Sequence, residues 1–142
     1  MKRIPTLFLA AGLLLGGCNV STGGDDPDIV GICGDMLSGD ADIEADLATY
    51  SSTVASYCEC FEATLEPMPE EDRSAVLKVV QIVGDLRKEN NASLDDVVGM
   101  IEDNGTQYGV SETEFEKTGD VVDGVRLDLK DNKGRCPAAA AE

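Results

Sequence analysis

A stripe of apolar residues spaced three or four positions apart runs through the middle of the chain. Its successive steps of 4, 3, 4, 4, 3 and 4 residues match the 3.6-residue period of an α-helix. The stripe consists of Ile43, Leu47, Tyr50, Val54, Cys58, Phe61 and Leu65. Because proline holds the residue before it in an extended conformation, the spacing predicts one continuous helix from near Ala41 to just before Pro67.

Helix-capping patterns predict further helices downstream. One begins near Pro69, carries three acids in its first turn and ends at Asn90 and Asn91. Ser93 and Ser111 each stand three residues before an acid, which predicts two capping boxes and two more helices. A shorter helix is predicted over residues 28–39.

The segment 121–129 fits two structures. Val122, Val125 and Leu129 have helical spacing, whereas Asp123-Gly124 is typical of a tight β-hairpin turn. We favour helix because every upstream segment is helical. The sequence therefore predicts an all-α bundle of about four to five helices over residues 28–137, with a disordered tail over 138–142.

The N-terminus carries an export pattern. Lys2 and Arg3 precede an apolar stretch too short to span a bilayer, and Leu15-Gly16-Gly17-Cys18 follows. This order resembles the lipobox signal of bacterial lipoproteins. The resemblance implies that residues 1–17 are removed, that Cys18 receives the lipid, often including palmitate, and that the membrane lipid is a partner through this acylated residue.

The resemblance also implies a location in the cell envelope. Residues 18–27 would form the lipidated end and a flexible tether. Asn19 follows the lipidation site, and the absence of an aspartate there favours the outer membrane, facing the periplasm, if the host is Gram-negative.

Four cysteines remain once Cys18 is assigned to lipid, and in an exported domain they predict two disulfides. Cys58 and Cys60 would lie about 200° apart around one helix and could not bond to each other. Each must then pair with either Cys33 or Cys136, which leaves 33–58 with 60–136, or 33–60 with 58–136. Since only Cys58 belongs to the apolar stripe, its bond is predicted to be the more shielded one.

The Cys-Glu-Cys segment permits another interpretation. Residues 57–61 look like a segment of small helical exported proteins that are known only as uncharacterised, and the likeness implies no activity. A redox accessory protein using Cys58 and Cys60 is the alternative function.

Charge and composition exclude several functions. With 11 basic and 28 acidic residues the net charge is −17, which argues against nucleic acid as a partner. The chain contains no histidine, so Ser-His-Asp catalysis and histidine metal sites are excluded within it.

An alternating series of acids suggests a second alternative function, that of a calcium-dependent binding module. The group consists of Asp40, Asp42, Glu44 and Asp46. Tested as an EF-hand loop from Asp40, the pattern fails because Ala45 and Ser51 occupy the positions of the required Gly and Glu. We therefore expect a non-enzymatic structural or interaction module with an envelope protein partner, no cofactor, no metal and no catalytic residue.

Overall fold

The structure is a computed structural model that describes residues 27–137, and all regular structure in this range is helical. The α-helices are α1 (Ile29–Leu37), α2 (Ala41–Thr49), α3 (Val54–Leu65), α4 (Glu70–Asn90), α5 (Leu94–Asn104) and α6 (Glu112–Asp131). A short 3-10 helix, Gly105–Tyr108, joins α5 to α6. The predicted all-α, disulfide-stapled fold is confirmed, while the signal, Cys18, the tether up to residue 26 and the tail lie outside the described residues.

The predicted caps are present. The Ser93 hydroxyl accepts a hydrogen bond from the backbone N–H of Asp96, whose carboxylate in turn accepts from the Ser93 N–H. Ser111 and Glu114 form the same reciprocal pair at the start of α6. Asn91 ends α4 with a left-handed backbone conformation. These local signals set the helix ends because each side chain satisfies a backbone group that the helix leaves unpaired.

The predicted continuous helix over the apolar stripe is wrong. The chain leaves α2 at Tyr50, Ser51 adopts a positive φ of 63°, and Thr53 caps α3 by accepting from the N–H of Ser56. Serine and threonine favour such caps because their side chains compete for backbone hydrogen bonds. The apolar spacing continues in the sequence across residues 50–54, so the periodicity does not show the break, and the described domain has six α-helices.

The hairpin alternative for residues 121–129 is also wrong, since the whole segment lies within α6. Val125 and Leu129 are buried against the other helices, whereas Leu127 is 58% exposed. This separation of faces follows the helical period and not strand alternation.

Helix α4 lies at the centre of the domain. It packs against α1, α5 and α6, while α3 packs against α1 and α6. The large apolar side chains on its buried face are Val76, Leu77, Val79, Val80 and Val83. Each such side chain contributes roughly 1.5–3 kcal/mol when fully buried, so an aliphatic core compensates for the few aromatic residues.

The C-terminal segment returns to the α2–α3 turn at Gly134. This residue has a φ of +78°, and a Cβ added to it would lie 2.6 Å from the carbonyl oxygens of Tyr50 and Ser51. Only glycine allows this contact, because any side chain would meet both a strained backbone and a clash.

We expect Gly134→Ala to lower the free energy of unfolding by about 1–3 kcal/mol, measured by urea denaturation. Gly109→Ala is the matched control, since Gly109 has a similar φ of +72° but no neighbour within 4 Å of the added Cβ. It should cost less than Gly134→Ala. If both variants lowered the free energy of unfolding equally, backbone strain alone would explain the effect, and the close contact of Gly134 would be unimportant.

Candidate functional site

The four cysteines of the described range form two disulfides. Cys33 bonds to Cys58 and Cys60 bonds to Cys136, with Cα–Cα distances of 5.6 Å and 5.3 Å. This is the first of the two connectivities that the sequence left open. Helix α3 thus holds both α1 and the C-terminal segment covalently.

The two bonds differ in exposure. Cys33 and Cys58 are 0% and 1% exposed, whereas Cys136 is an exposed residue at the end of the described chain. Cys60 lies outside the apolar stripe and was expected to be less shielded than Cys58. This expectation is corrected, because Cys60 is itself buried. The difference in shielding therefore comes from the partner, Cys136, and not from the position of Cys60 on the helix.

The redox interpretation required Cys58 and Cys60 to work together. In the structure each is bonded to a different, distant cysteine. The two sulfurs therefore belong to two separate cross-links, and they do not form a pair of neighbouring free thiols.

Asp40 links two helix ends. One of its carboxylate oxygens accepts from the N–H groups of Asp42 and Ile43 at 3.2 Å, which caps α2. The other accepts from the N–H of Leu94 at 2.8 Å, at the start of α5. The hydrogen bond from Leu94 is the main reason why the pKa of Asp40 lies below its usual value, whereas burial acts to raise this pKa. Asp40 therefore acts as a shared, ionised cap.

Arg87 completes this buried polar group. Its guanidinium lies 3.4 Å from the Asp40 carboxylate, and both side chains are less than 10% exposed. It also donates to the carbonyl oxygens of Met36 and Ala92. Arg87 therefore ties the end of α1 and the start of α2 to α4 and to the turn before α5.

The burial of Arg87 was not predicted from the sequence. Arg87 lies four residues after Val83, on the buried face of α4, so its helical spacing was the one local sign that it is buried. Its charge instead suited an exposed helix C-terminus, and only the three-dimensional contact with Asp40 explains why it lies inside.

The remaining acids of the proposed calcium group do not converge. Asp46 pairs with Arg126 of α6 at 2.7 Å, and this hydrogen bond is the main cause that lowers the pKa of Asp46. Asp42 and Glu44 are exposed. Within residues 27–137, no three Cys, Asp or Glu side chains lie together in a way that could hold a metal ion.

A cleft of about 350 Å³ lies between α2, the start of α5 and α6, and we call it the α2–α6 cleft. Its apolar lining includes Ile43, Leu47, Tyr50, Leu94 and Val122. Its charged lining includes Asp42, Asp46, Asp95, Asp123 and Arg126. The cleft combines an apolar interior with a mostly acidic edge.

Two tyrosines shape this cleft. The Tyr57 hydroxyl donates to the carbonyl oxygen of Val122 at 2.8 Å, and burial raises the pKa of Tyr57 far above its usual value. The Tyr50 hydroxyl donates to Asp46 at 3.3 Å, and its pKa is raised mainly by burial. Both phenols therefore stay protonated. The Tyr57 hydrogen bond joins α3 to α6, whereas the Tyr50 hydrogen bond lies within α2 and its C-cap.

No helix in the range 27–137 is both long and apolar enough to cross a membrane. Comparisons with protein families, curated proteins and solved structures find no match to this chain.

Proposed function

We propose that this protein is a lipid-anchored, non-enzymatic module of the bacterial cell envelope that contacts another envelope protein. The observation that carries the proposal is the lipobox order at residues 15–18 behind a basic and then apolar N-terminus. The described cysteines support it, because all four are used in disulfides and Cys18 is the remaining fifth. Disulfides of this kind are typical of exported proteins.

Attachment in this proposal depends on the covalent lipid. The full chain has a net charge of −17, and removal of Lys2 and Arg3 with the signal makes the attached protein more negative still, so anionic lipid headgroups repel it. Each buried methylene of an acyl chain contributes about 0.8 kcal/mol, and two or more chains anchor a protein stably. Asn19 favours delivery to the outer membrane, facing the periplasm, in a Gram-negative host.

The test is Cys18→Ala, which removes the sulfur that would carry the lipid. We expect no incorporation of a fatty-acid probe during metabolic labelling and loss of the protein from the membrane fraction. Cys136→Ala is the control, because it removes a cysteine but leaves the lipobox intact, and it should be labelled like the wild type. Equal labelling of Cys18→Ala and wild type would refute the anchor.

A further inference from the structure

The α2–α6 cleft has an uncompensated acidic edge. Asp42 on α2, Asp95 on α5 and Asp123 on α6 are exposed carboxylates that line it. Within residues 27–137 none of the three has an ion-pair partner or a side-chain hydrogen bond. The single lining cation, Arg126, is already paired with Asp46. The edge therefore carries three negative charges from three different helices.

The interior of the cleft is suited to apolar groups. Leu47 is buried, and Ile43, Leu94 and Val122 are half-buried at its surface. Hydrophobic side chains that enter such a site lose water-exposed area, which favours binding. The methylene chains of lysine and arginine can lie on the same surface while their charged ends reach the carboxylates.

The two features together select the occupant. A negative edge on an apolar floor repels anions and attracts cations, and complementary charge raises both specificity and the rate of association. A volume of about 350 Å³ is at the lower end of the range for small binding sites, so the cleft holds a short run of side chains.

We propose that the α2–α6 cleft docks a short basic segment of a partner protein, in which lysine or arginine alternates with large aliphatic residues. This inference rests on the proposed function, since it states the chemistry of the envelope partner. The partner segment lies along α2 and α6, with its cations at Asp42, Asp95 and Asp123.

The experiment uses the full chain purified from membranes in a neutral detergent and labelled with ¹⁵N. The probe is a five-residue, end-blocked peptide of alternating leucine and lysine, added during measurement of amide chemical shifts. We expect saturable shifts concentrated on the residues that line the cleft. A peptide of alternating glycine and lysine should bind at least about tenfold more weakly, because it has the charge without the apolar side chains.

A matched pair of triple variants isolates the edge. Asp42→Asn with Asp95→Asn and Asp123→Asn should weaken binding about tenfold, equivalent to about 1.4 kcal/mol. The control neutralises three exposed acids outside the cleft, Glu70→Gln, Glu112→Gln and Asp128→Asn. It makes the same change in net charge, with two of its three sites in the first turn of a helix like Asp42 and Asp95, and should alter the affinity less than twofold.

Several results would overturn the proposal. Shifts scattered over the surface, or equal weakening by the two triple variants, would show attraction to net charge alone. If phenethylamine bound the cleft as tightly as the peptide does, the site would be assigned to free amines. If sedimentation showed a dimer and the amide shifts placed its contact at the cleft, the site would be assigned to a second copy of the chain. Labelling of Cys18 is measured separately, so failure of peptide binding is distinguishable from failure of the proposed anchor.

Discussion

Replacing Asp40 by alanine is expected to lower the free energy of unfolding by about 3–5 kcal/mol, the range found when one partner of a buried ion pair is removed. The variant leaves the guanidinium of Arg87 buried without its counter-charge. It also leaves the N–H groups of Ile43 and Leu94 without their acceptor. Buried polar groups that lose their partners account for most of this cost.

Asp46→Ala is the matched control, because Asp46 lies on the helix that Asp40 caps and also pairs with an arginine. Its partner Arg126 is 54% exposed and can be hydrated when the carboxylate is lost, so the cost should stay below about 1 kcal/mol. Urea denaturation of both variants measures the difference. Losses within about 0.5 kcal/mol of each other would contradict the role we give to the buried pair.

The same contact predicts the pH dependence of stability. The pKa of Asp40 is lowered in the folded protein, so protons bind to the unfolded state first as the pH falls. The contribution of Asp40 is therefore fully present above the unfolded pKa of about 3.9 and is lost as the pH drops through the lower folded value. The stability difference between wild type and Asp40→Ala should be constant near neutral pH and should narrow below about pH 4.

Removal of either disulfide is expected to lower the free energy of unfolding by about 3–5 kcal/mol. The bonds span sequence separations of 25 and 76 residues, so each restricts a substantial loop of the unfolded chain. The double variants Cys33→Ala with Cys58→Ala, and Cys60→Ala with Cys136→Ala, separate the two contributions in urea denaturation. A loss below about 1 kcal/mol in either variant would show that its bond does not stabilise the domain.

The bonds should also open in a definite order. Under native conditions a thiol reductant can approach the exposed Cys136, whereas both sulfurs of the Cys33–Cys58 bond are buried. We expect the Cys60–Cys136 bond to open at least about tenfold faster, as measured by alkylation of the released thiols and peptide mapping. Faster opening of the Cys33–Cys58 bond would contradict the order.

Much of the fold could be predicted because its signals are local. The caps at Ser93 and Ser111 and the end of α4 at Asn91 depend on residues within one helical turn. Helical spacing likewise indicated which faces are buried, including Val125 and Leu129 of α6. The rule that two cysteines at positions 58 and 60 cannot bond within a helix reduced three disulfide connectivities to two.

The cleft could not be predicted because its parts come from distant segments. In the sequence, Asp42 belonged to the acids tested as a calcium loop and Asp123 to a possible hairpin turn, and nothing linked either of them to Asp95. Only the packing of α2 and α5 beside α6 brings these carboxylates to one edge over an apolar floor. A pattern within one helix carries no information about which other helix will lie against it.

By itself, then, the sequence determined the helical class of the domain, most helix ends and the use of its cysteines in two cross-links. The tertiary structure decided the choice of Cys33 for Cys58 and the burial of Arg87 with Asp40. The Arg87 and Leu94 contacts of Asp40 join residues 47 and 54 positions apart. Helix ends are set by hydrogen bonds within a few residues, whereas pairings and buried charges depend on which distant surfaces fit together when the core excludes water.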